Sequence, residues 1–239
     1  MNVLVIAAHP DDEILGAGGI IKKNIDQGNE VKIVIMATGI FSRRSNNFKN
    51  SVEYETNEKS KKLMEKELKV LRQNAKKASK ILGVKNVDFY DFPDNEMDKI
   101  SNLEITKSIE KIIKSFKPEI VLTHSNSDLN IDHRIIYNAT LTATRPMNTS
   151  SVQEVISFEI PSSTEWNFTS PFSPNMFVDI SKELKFKLKA LSQYKSELKQ
   201  FPHPRSLKGI EIIAKRWGTV CGYPAAEAFQ IIRQIRKNF

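Results

Sequence analysis

Asn2-Val3-Leu4-Val5-Ile6-Ala7 runs without a charge into Ala8-His9-Pro10-Asp11-Asp12-Glu13. A near-continuous apolar run of this length is the pattern of a strand buried on both faces. The polar stretch after it packs one imidazole and three carboxylates in front of a helix expected over about 13–27 and closed near Gly28. Val31-Lys-Ile-Val-Ile-Met36 reads as a second strand, ended by Thr38-Gly39. A strand–helix–strand unit with so short a crossover favours parallel pairing in the right-handed sense.

The alternation continues outward. Helices are expected over about 57–82, 103–116 and 132–144, and strands over 87–90, 119–123 and 155–160. Further on, 177–180 reads as a strand, and 181–199 and 225–236 as helices. Residues 40–57, polar and carrying Arg43 and Arg44, read as a mobile loop beside the site. Strands alternating with helices predict an α/β chain with a Rossmann-like, doubly wound, mostly parallel sheet and helices on both faces. One domain is expected over 1–239: residues 1–160 form the α/β core, and 161–239 form a C-terminal extension packed on it.

Bulk composition narrows the class. The chain has 239 residues, 40% hydrophobic and 27% charged, as in a soluble globular protein able to bury its own core. Cys221 is the single cysteine, which excludes an intramolecular disulfide and fits a reducing cytoplasm. The run 2–8 lacks a basic flank and is too short for a signal peptide, and no stretch reaches membrane-span length, so a cytoplasmic location is expected. The net charge of +8 comes mainly from lysines at helical spacing in 58–80 and 182–199, read first as solvated helix faces. The sharper reading is attraction to an anionic partner, such as a phosphate- or lipid-linked substrate. No nucleic-acid motif accompanies the charge. A homo-oligomer is left open.

The first loop lies where ligands bind in open α/β sheets, outside the carboxyl ends of the strands. Three uncompensated carboxylates there repel one another, and a divalent cation would remove the conflict. His9 and Asp12, at i and i+3, can converge on one ion. Helix capping by Asp11 or Asp12 is the plainer explanation, but it uses one aspartate and leaves the cluster unexplained. A catalytic zinc site usually takes three protein ligands and keeps one position open. Of the four histidines, His9, His124, His133 and His203, both His124 and His133 flank the loop after the fourth strand. In Asn130-Ile131-Asp132-His133-Arg134, Asp132 can orient a neighbouring imidazole. His133 alone would read as a surface helix residue; its place at a second strand end favours a ligand. Gly16-Ala17-Gly18-Gly19 lies inside the helix and does not match dinucleotide-binding spacing, so close helix–sheet contact is the better explanation.

Ala8-His9-Pro10-Asp11-Asp12-Glu13 with Gly18-Gly19 resembles the motif of the PIG-L/LmbE-like zinc-dependent de-N-acetylases. Asp132-His133-Arg134 resembles the second half of that family's His-x-Asp-His motif. Arg72, Ala75, Ala78 and Leu82-Gly83, then Phe92-Pro93-Asp94, are similar to the segments between. Together these cover about residues 2–145. Leu141 to Pro146, Pro202-His203-Pro204-Arg205-Ser206 and Ala226 to Phe229 resemble a bacterial branch.

The resemblance implies Zn2+ held by His9, Asp12 and His133, with Asp11 as general base and Arg72 and Asp94 as substrate contacts. It implies hydrolysis of the N-acetyl group of an N-acetylglucosamine-type sugar in a cell-envelope, glycan or glycoconjugate precursor. The first histidine of His-x-Asp-His is Asn130 here, which donates a hydrogen bond but exchanges no proton near neutral pH. His124, or His203 between its two prolines, are substitutes for stabilising the oxyanion. Arg43, Arg44, Arg72, Arg134 and Arg205 are candidates to grip a substrate phosphate, each with a surface ion pair as the plainer role. Trp166 and Trp217 are read either as sugar-stacking or as packing residues. Two rival functions remain: a zinc amidase on a non-sugar N-acyl substrate, and a non-catalytic α/β nucleotide-binding module.

Overall fold

The structure, a computed structural model, describes residues 1–42, 58–147 and 151–236. Seven strands form one sheet: β1 (Asn2–Ala7), β2 (Glu30–Ala37), β3 (Asn86–Phe92), β4 (Ile120–Thr123), β5 (Glu154–Phe158), β6 (Met176–Asp179) and β7 (Ala226–Gln234). The helices are α1 (Asp12–Asp26), α2 (Glu58–Leu82), α3 (Asn102–Phe116), α4 (Ile131–Ala143), α5 (Leu184–Leu191) and α6 (Leu207–Cys221), with one 3-10 turn at Met97–Lys99. The strand order is β3-β2-β1-β4-β5-β7-β6. The first five strands in that order are parallel, and β7 pairs antiparallel with both β5 and β6. The chain winds outward from β1 to β3, then returns to lay β4 on the other side of β1. The crevice between the carboxyl ends of β1 and β4 is therefore the topological switch point, where such sheets bind ligands.

The apolar run of β1 is buried on both faces because helices cover both. Val3, Val5 and Ala7 join one core layer with residues of α1, α2 and the segment after α5; Leu4, Ile6 and Ala8 join the other with α3 and α4. This is the period-two alternation of a central strand. α1 lies unusually close to the sheet: a Cβ on Gly16 would fall 2.3 Å from Phe158 Cδ2.

Two expectations fail in the last third. The helix expected over 225–236 is instead the strand β7, Ala226–Gln234. Ala226 and Ala228 are buried, Glu227 is buried toward α1, and the backbone is claimed by β5 and β6, so tertiary pairing overrides helix propensity. The helix expected over 181–199 ends at Leu191, and turns follow that bring Tyr194 fully into the core. α6 is an element not anticipated above. Most of the loop expected over 40–57, with Arg43 and Arg44, lies outside the described residues.

One buried ion pair ties this last third to α1. Glu227 accepts hydrogen bonds from the N–H groups of Gly19 and Ile20, in the middle of the helix, both at 2.7 Å. Lys187 Nζ pairs with Glu227 at 2.7 Å and donates to Leu15 O, the carbonyl that Gly19 N–H would ordinarily meet, at 2.8 Å. The pair thus inserts into the ladder of α1 from strand β7 and helix α5.

Lys187→Met strands the Glu227 charge and one helix carbonyl. It should cost about 3–5 kcal/mol in urea unfolding; a loss below about 1 kcal/mol would mean that water reaches the pair. Glu159, just past β5, gives a pH-dependent counterpart. Burial pushes its carboxyl from 4.5 up to about 7, although it accepts the Trp217 indole N–H. A carboxyl raised in this way contributes stability fully present below about pH 4.5 and lost as pH rises through about 7. Glu159→Gln keeps the acceptor for Trp217, and because Glu159 is partly exposed the gain at pH 8 should be roughly 1–2 kcal/mol, vanishing at pH 4.5. Thermal melts at the two pH values read it; an equal change at both would refute it.

Candidate metal and hydrolase centre

The loop after β1 is shaped before any ligand is considered. Gly39, at the end of β2, has φ +72°, and a Cβ there would come within 2.6 Å of Pro10 Cδ, so only glycine lets the two strand ends approach. Asp11 itself is left-handed, with φ 106° and ψ −27°, an uncommon conformation for a residue bearing a side chain. Its carbonyl accepts the N–H groups of Ile14 and Leu15, starting α1, but its side chain makes no cap. Strain of this kind persists only where the surroundings enforce it. Here Glu13 Oε2 accepts the Asp11 N–H at 3.0 Å, and the Tyr194 hydroxyl donates to Glu13 Oε1.

Three side chains from two strand ends meet at the switch point. His9 Nδ1 lies 3.2 Å from His133 Nε2 and 3.3 Å from Asp12 Oδ2, and Asp12 Oδ2 lies 3.2 Å from His133 Nε2. The edges of a tetrahedral zinc site, with ligand atoms at about 2.0–2.2 Å, are about 3.3–3.5 Å. Asp12 and His133 side chains are 1% exposed and His9 is 12% exposed, so the triangle opens on the His9 side. Asp12 Oδ1 is buried without a hydrogen-bond partner. The triangle oxygen, Oδ2, also accepts the His9 N–H at 2.9 Å, and with Oδ1 left unpartnered this carboxylate and the two imidazole nitrogens fit a divalent cation, so these residues can hold one. Burial acts to raise Asp12, yet His133 and His9 keep its carboxyl well below the usual range, in the ionised form that a ligand needs.

Each imidazole is oriented through its other nitrogen. His9 Nε2 lies 2.9 Å from Asp132 Oδ2 and 3.3 Å from Asp94 Oδ1. Asp132 is itself fixed by the N–H groups of Asn95 and Met97. His133 Nδ1 lies 2.9 Å from Asp128 Oδ2, and Ser163 and Thr164 donate to Asp128. His124 stacks on His133 with ring centroids 4.0 Å apart, and its Nε2 accepts the Ala8 N–H at 2.7 Å. Burial holds His124 well below its ordinary value, neutral and fully enclosed.

Asp11 stands beside this triangle. Burial pushes its carboxyl well above the usual range, against the pull of Arg205, whose Nη1 is 3.4 Å from Asp11 Oδ2. Arg205 also donates to Pro161 O at 3.3 Å. A buried carboxyl with a raised pKa beside a cation-binding triangle is equipped to take up and release a proton.

Of the residues read from sequence, His9, Asp11, Asp12, Asp94, Asp132, His133 and Arg205 come together. Asn130 caps α4: its Oδ1 accepts the Asp132 N–H at 2.8 Å, and its Nδ2 donates to Asn95 Oδ1 at 2.9 Å. The remaining three are engaged elsewhere among the described residues. Arg72 pairs with Asp91 and Tyr90 O at the edge of the sheet. Arg134 donates to Asp128 O and Leu129 O, bracing the loop before α4. His203 accepts the Arg205 N–H and meets Trp166. Trp217 is buried, whereas Trp166 is exposed. Sequence reading missed Asp128, Glu13 and Tyr194 as supports. Asp128 sat in the 125–131 loop beside the ligand helix, a usable signal; Tyr194 offered none, since its partner is 181 residues away.

Comparison with known proteins places the chain in a family. The family described as GlcNAc-PI de-N-acetylase (PIG-L) matches residues 4–144. The diacetylchitobiose deacetylase of Thermococcus kodakarensis is 27% identical over 238 residues, covering 97% of this chain and 83% of that protein. The N,N′-diacetylchitobiose deacetylase structure from Pyrococcus horikoshii superposes with a TM-score of 0.74 at 23% identity, over 97% of this chain and 84% of that one. GalB, a 4-carboxy-2-hydroxymuconate hydratase from Pseudomonas putida, superposes equally well, at 0.74 and 20% identity over 100% and 99% of the two chains. At these identities the two superpositions show the fold alone, which hosts more than one reaction. Among the described residues, no helix is long and apolar enough to cross a membrane.

Asp128 is the carboxylate paired with Nδ1 of the His133 ring, so its removal tests the triangle without touching a ligand. Asp128→Asn should weaken divalent-cation binding about 10- to 100-fold, measured by competition with a chromophoric chelator. Unchanged affinity would mean that His133 is not a ligand.

Proposed function

Because the chain belongs to the PIG-L family of de-N-acetylases, we propose that it hydrolyses the N-acetyl group of an N-acetylglucosamine-type sugar, with zinc held by His9, Asp12 and His133. The observation that carries this reading is the triangle of ligand atoms with 3.2–3.3 Å edges beside the strained, buried Asp11. The mixed nitrogen and oxygen donor set suits zinc better than magnesium, which prefers oxygen. The relative from Thermococcus kodakarensis, a diacetylchitobiose deacetylase, supports an amino-sugar substrate.

Zinc bound there supplies Lewis-acid chemistry, polarising an amide carbonyl and making water acidic enough to give hydroxide near neutral pH. The chain's own residues do the rest. Asp11 accepts the proton of the attacking water as its oxygen bonds to the acetyl carbon. Asp132 and Asp128 hold the His9 and His133 rings so that each turns one nitrogen to the triangle. Nδ2 of Asn130 carries a second N–H beyond the one given to Asn95, and this is the donor assigned to the developing oxyanion. As the C–N bond breaks, Asp11 returns the proton to the departing amine. Acetate and a free amino sugar leave. The Arg205 guanidinium pulls against the burial that favours the protonated form of Asp11.

Asp11→Asn should retain one equivalent of zinc and lose about 10²- to 10⁴-fold in kcat, the usual contribution of a general base. Metal analysis and acetate release from N-acetylglucosamine, N,N′-diacetylchitobiose and N-acetyl amino acids check it together. Full activity in that variant would remove Asp11 from the role, and turnover confined to acyl-amino acids would replace the sugar by a non-sugar amide.

A further inference from the structure

We propose that Trp166 and His203 form a stacking platform for a second pyranose ring, joined to the amino sugar whose acetamido group enters the site. This rests on the deacetylase reading above and names the substrate class that the site selects. Among the described residues, the well-exposed Trp and Phe side chains are Trp166, Phe168 and Phe201. All three lie on the two loops that reach the site. Thr164 donates to Asp128, which holds His133, and Asn167 donates to Ser127 O at 3.2 Å, so Trp166 sits between two stitches to the loop after β4. On the other side, the His203 ring accepts the Arg205 N–H at 3.1 Å, and Arg205 reaches Asp11.

Trp166 and His203 meet edge to face, with centroids 5.7 Å apart and planes at 80°. Such a contact fixes the rings while leaving an aromatic face uncovered, and Trp166 remains 43% exposed. The ring is thus held in the open on a loop whose Thr164 and Asn167 bond to the segment carrying Asp128, the support of His133. A pyranose presents a C–H face to the ring and hydroxyls around its rim, where Glu165 and Asn167 flank Trp166 in the chain. Glu165 Oε1 accepts the Ser162 N–H and Asn167 Nδ2 donates to Ser127 O, so the polar groups on either side of the ring are themselves held in place.

The test compares N-acetylglucosamine with N,N′-diacetylchitobiose and octyl N-acetylglucosaminide in the wild type, Trp166→Ala and Trp166→Phe. Trp166→Ala should raise KM for the disaccharide about tenfold more than for the monosaccharide, with the change in KM rather than kcat, and Trp166→Phe should restore most of it. Binding is also read without turnover: diacetylchitobiose should shift tryptophan emission in the wild type, and the shift should disappear in Trp166→Phe. Equal effects on mono- and disaccharide, an effect confined to the octyl glycoside, or an emission shift that survives in Trp166→Phe would overturn the platform. If no sugar is deacetylated, the proposed function falls, and the emission titration still decides the platform.

Discussion

Two imidazoles and a carboxylate cannot share a dry crevice on equal terms unless something positive stands among them. That constraint organises the protein. Asp12, His9 and His133 are drawn to within 3.3 Å of one another at the one place where the winding of the sheet reverses, and every nearby feature holds them there. Aspartates 94, 128 and 132 surround the imidazoles as hydrogen-bond partners, and backbone N–H groups hold Asp94 and Asp132. Gly39 admits the Pro10 ring, and the left-handed Asp11 turns the loop into α1. The negative charge gathered around two histidines is tolerable in the fold only as part of a cation site or as a strongly protonated pair, and the orphaned Asp12 oxygen favours the former.

Asp11 illustrates how the fold keeps a conformation that its own residue resists. A left-handed aspartate costs on the order of 1–3 kcal/mol. Its N–H is held by Glu13, and Glu13 is held by Tyr194, so a residue of the C-terminal third maintains the strained turn that carries the proposed base. Glu13 is itself raised to about 7 by burial, although the Tyr194 hydroxyl and backbone N–H groups act to lower it. The same third supplies Arg205 at Asp11 and Lys187 at Leu15, which explains why residues far from the motif belong to the site.

What could be read from the sequence follows from how local each signal is. β1 and its loop are legible because six apolar residues and the polar stretch after them sit side by side. The pairing of His9 with His133 is legible because both fall at strand ends, and strand ends of parallel sheets converge. Asp132 was legible as an imidazole partner, though it serves His9 across the crevice and not its neighbour His133. β7 was not legible: Ala226-Glu227-Ala228-Phe229 has helical propensity, and only the open edges of β5 and β6 make it a strand. Tyr194 was hidden inside a lysine-rich segment with helical spacing. α6, with Gly209 and Gly218 in its span, lacks a strong local helix signal; its N-cap Ser206 and the left-handed Gly222 bound it once the chain is folded.

The division of labour along the chain bears on specificity. The matched family region, residues 4–144, contains the whole triangle and its orienting carboxylates, which in the proposed reaction meet only the acetyl group and a water molecule. Groups that touch the rest of a substrate must come from elsewhere. Outside the matched region, Trp166 meets His203, His203 accepts the Arg205 N–H, and Arg205 bonds Pro161 O and ends on Asp11. Displacing or tightening Arg205 changes the cation that offsets the burial of Asp11, the proposed proton acceptor. His203, Arg205 and Asp11 form one hydrogen-bonded path, so under the proposed function a change made at His203 or Arg205 is felt at the proton acceptor.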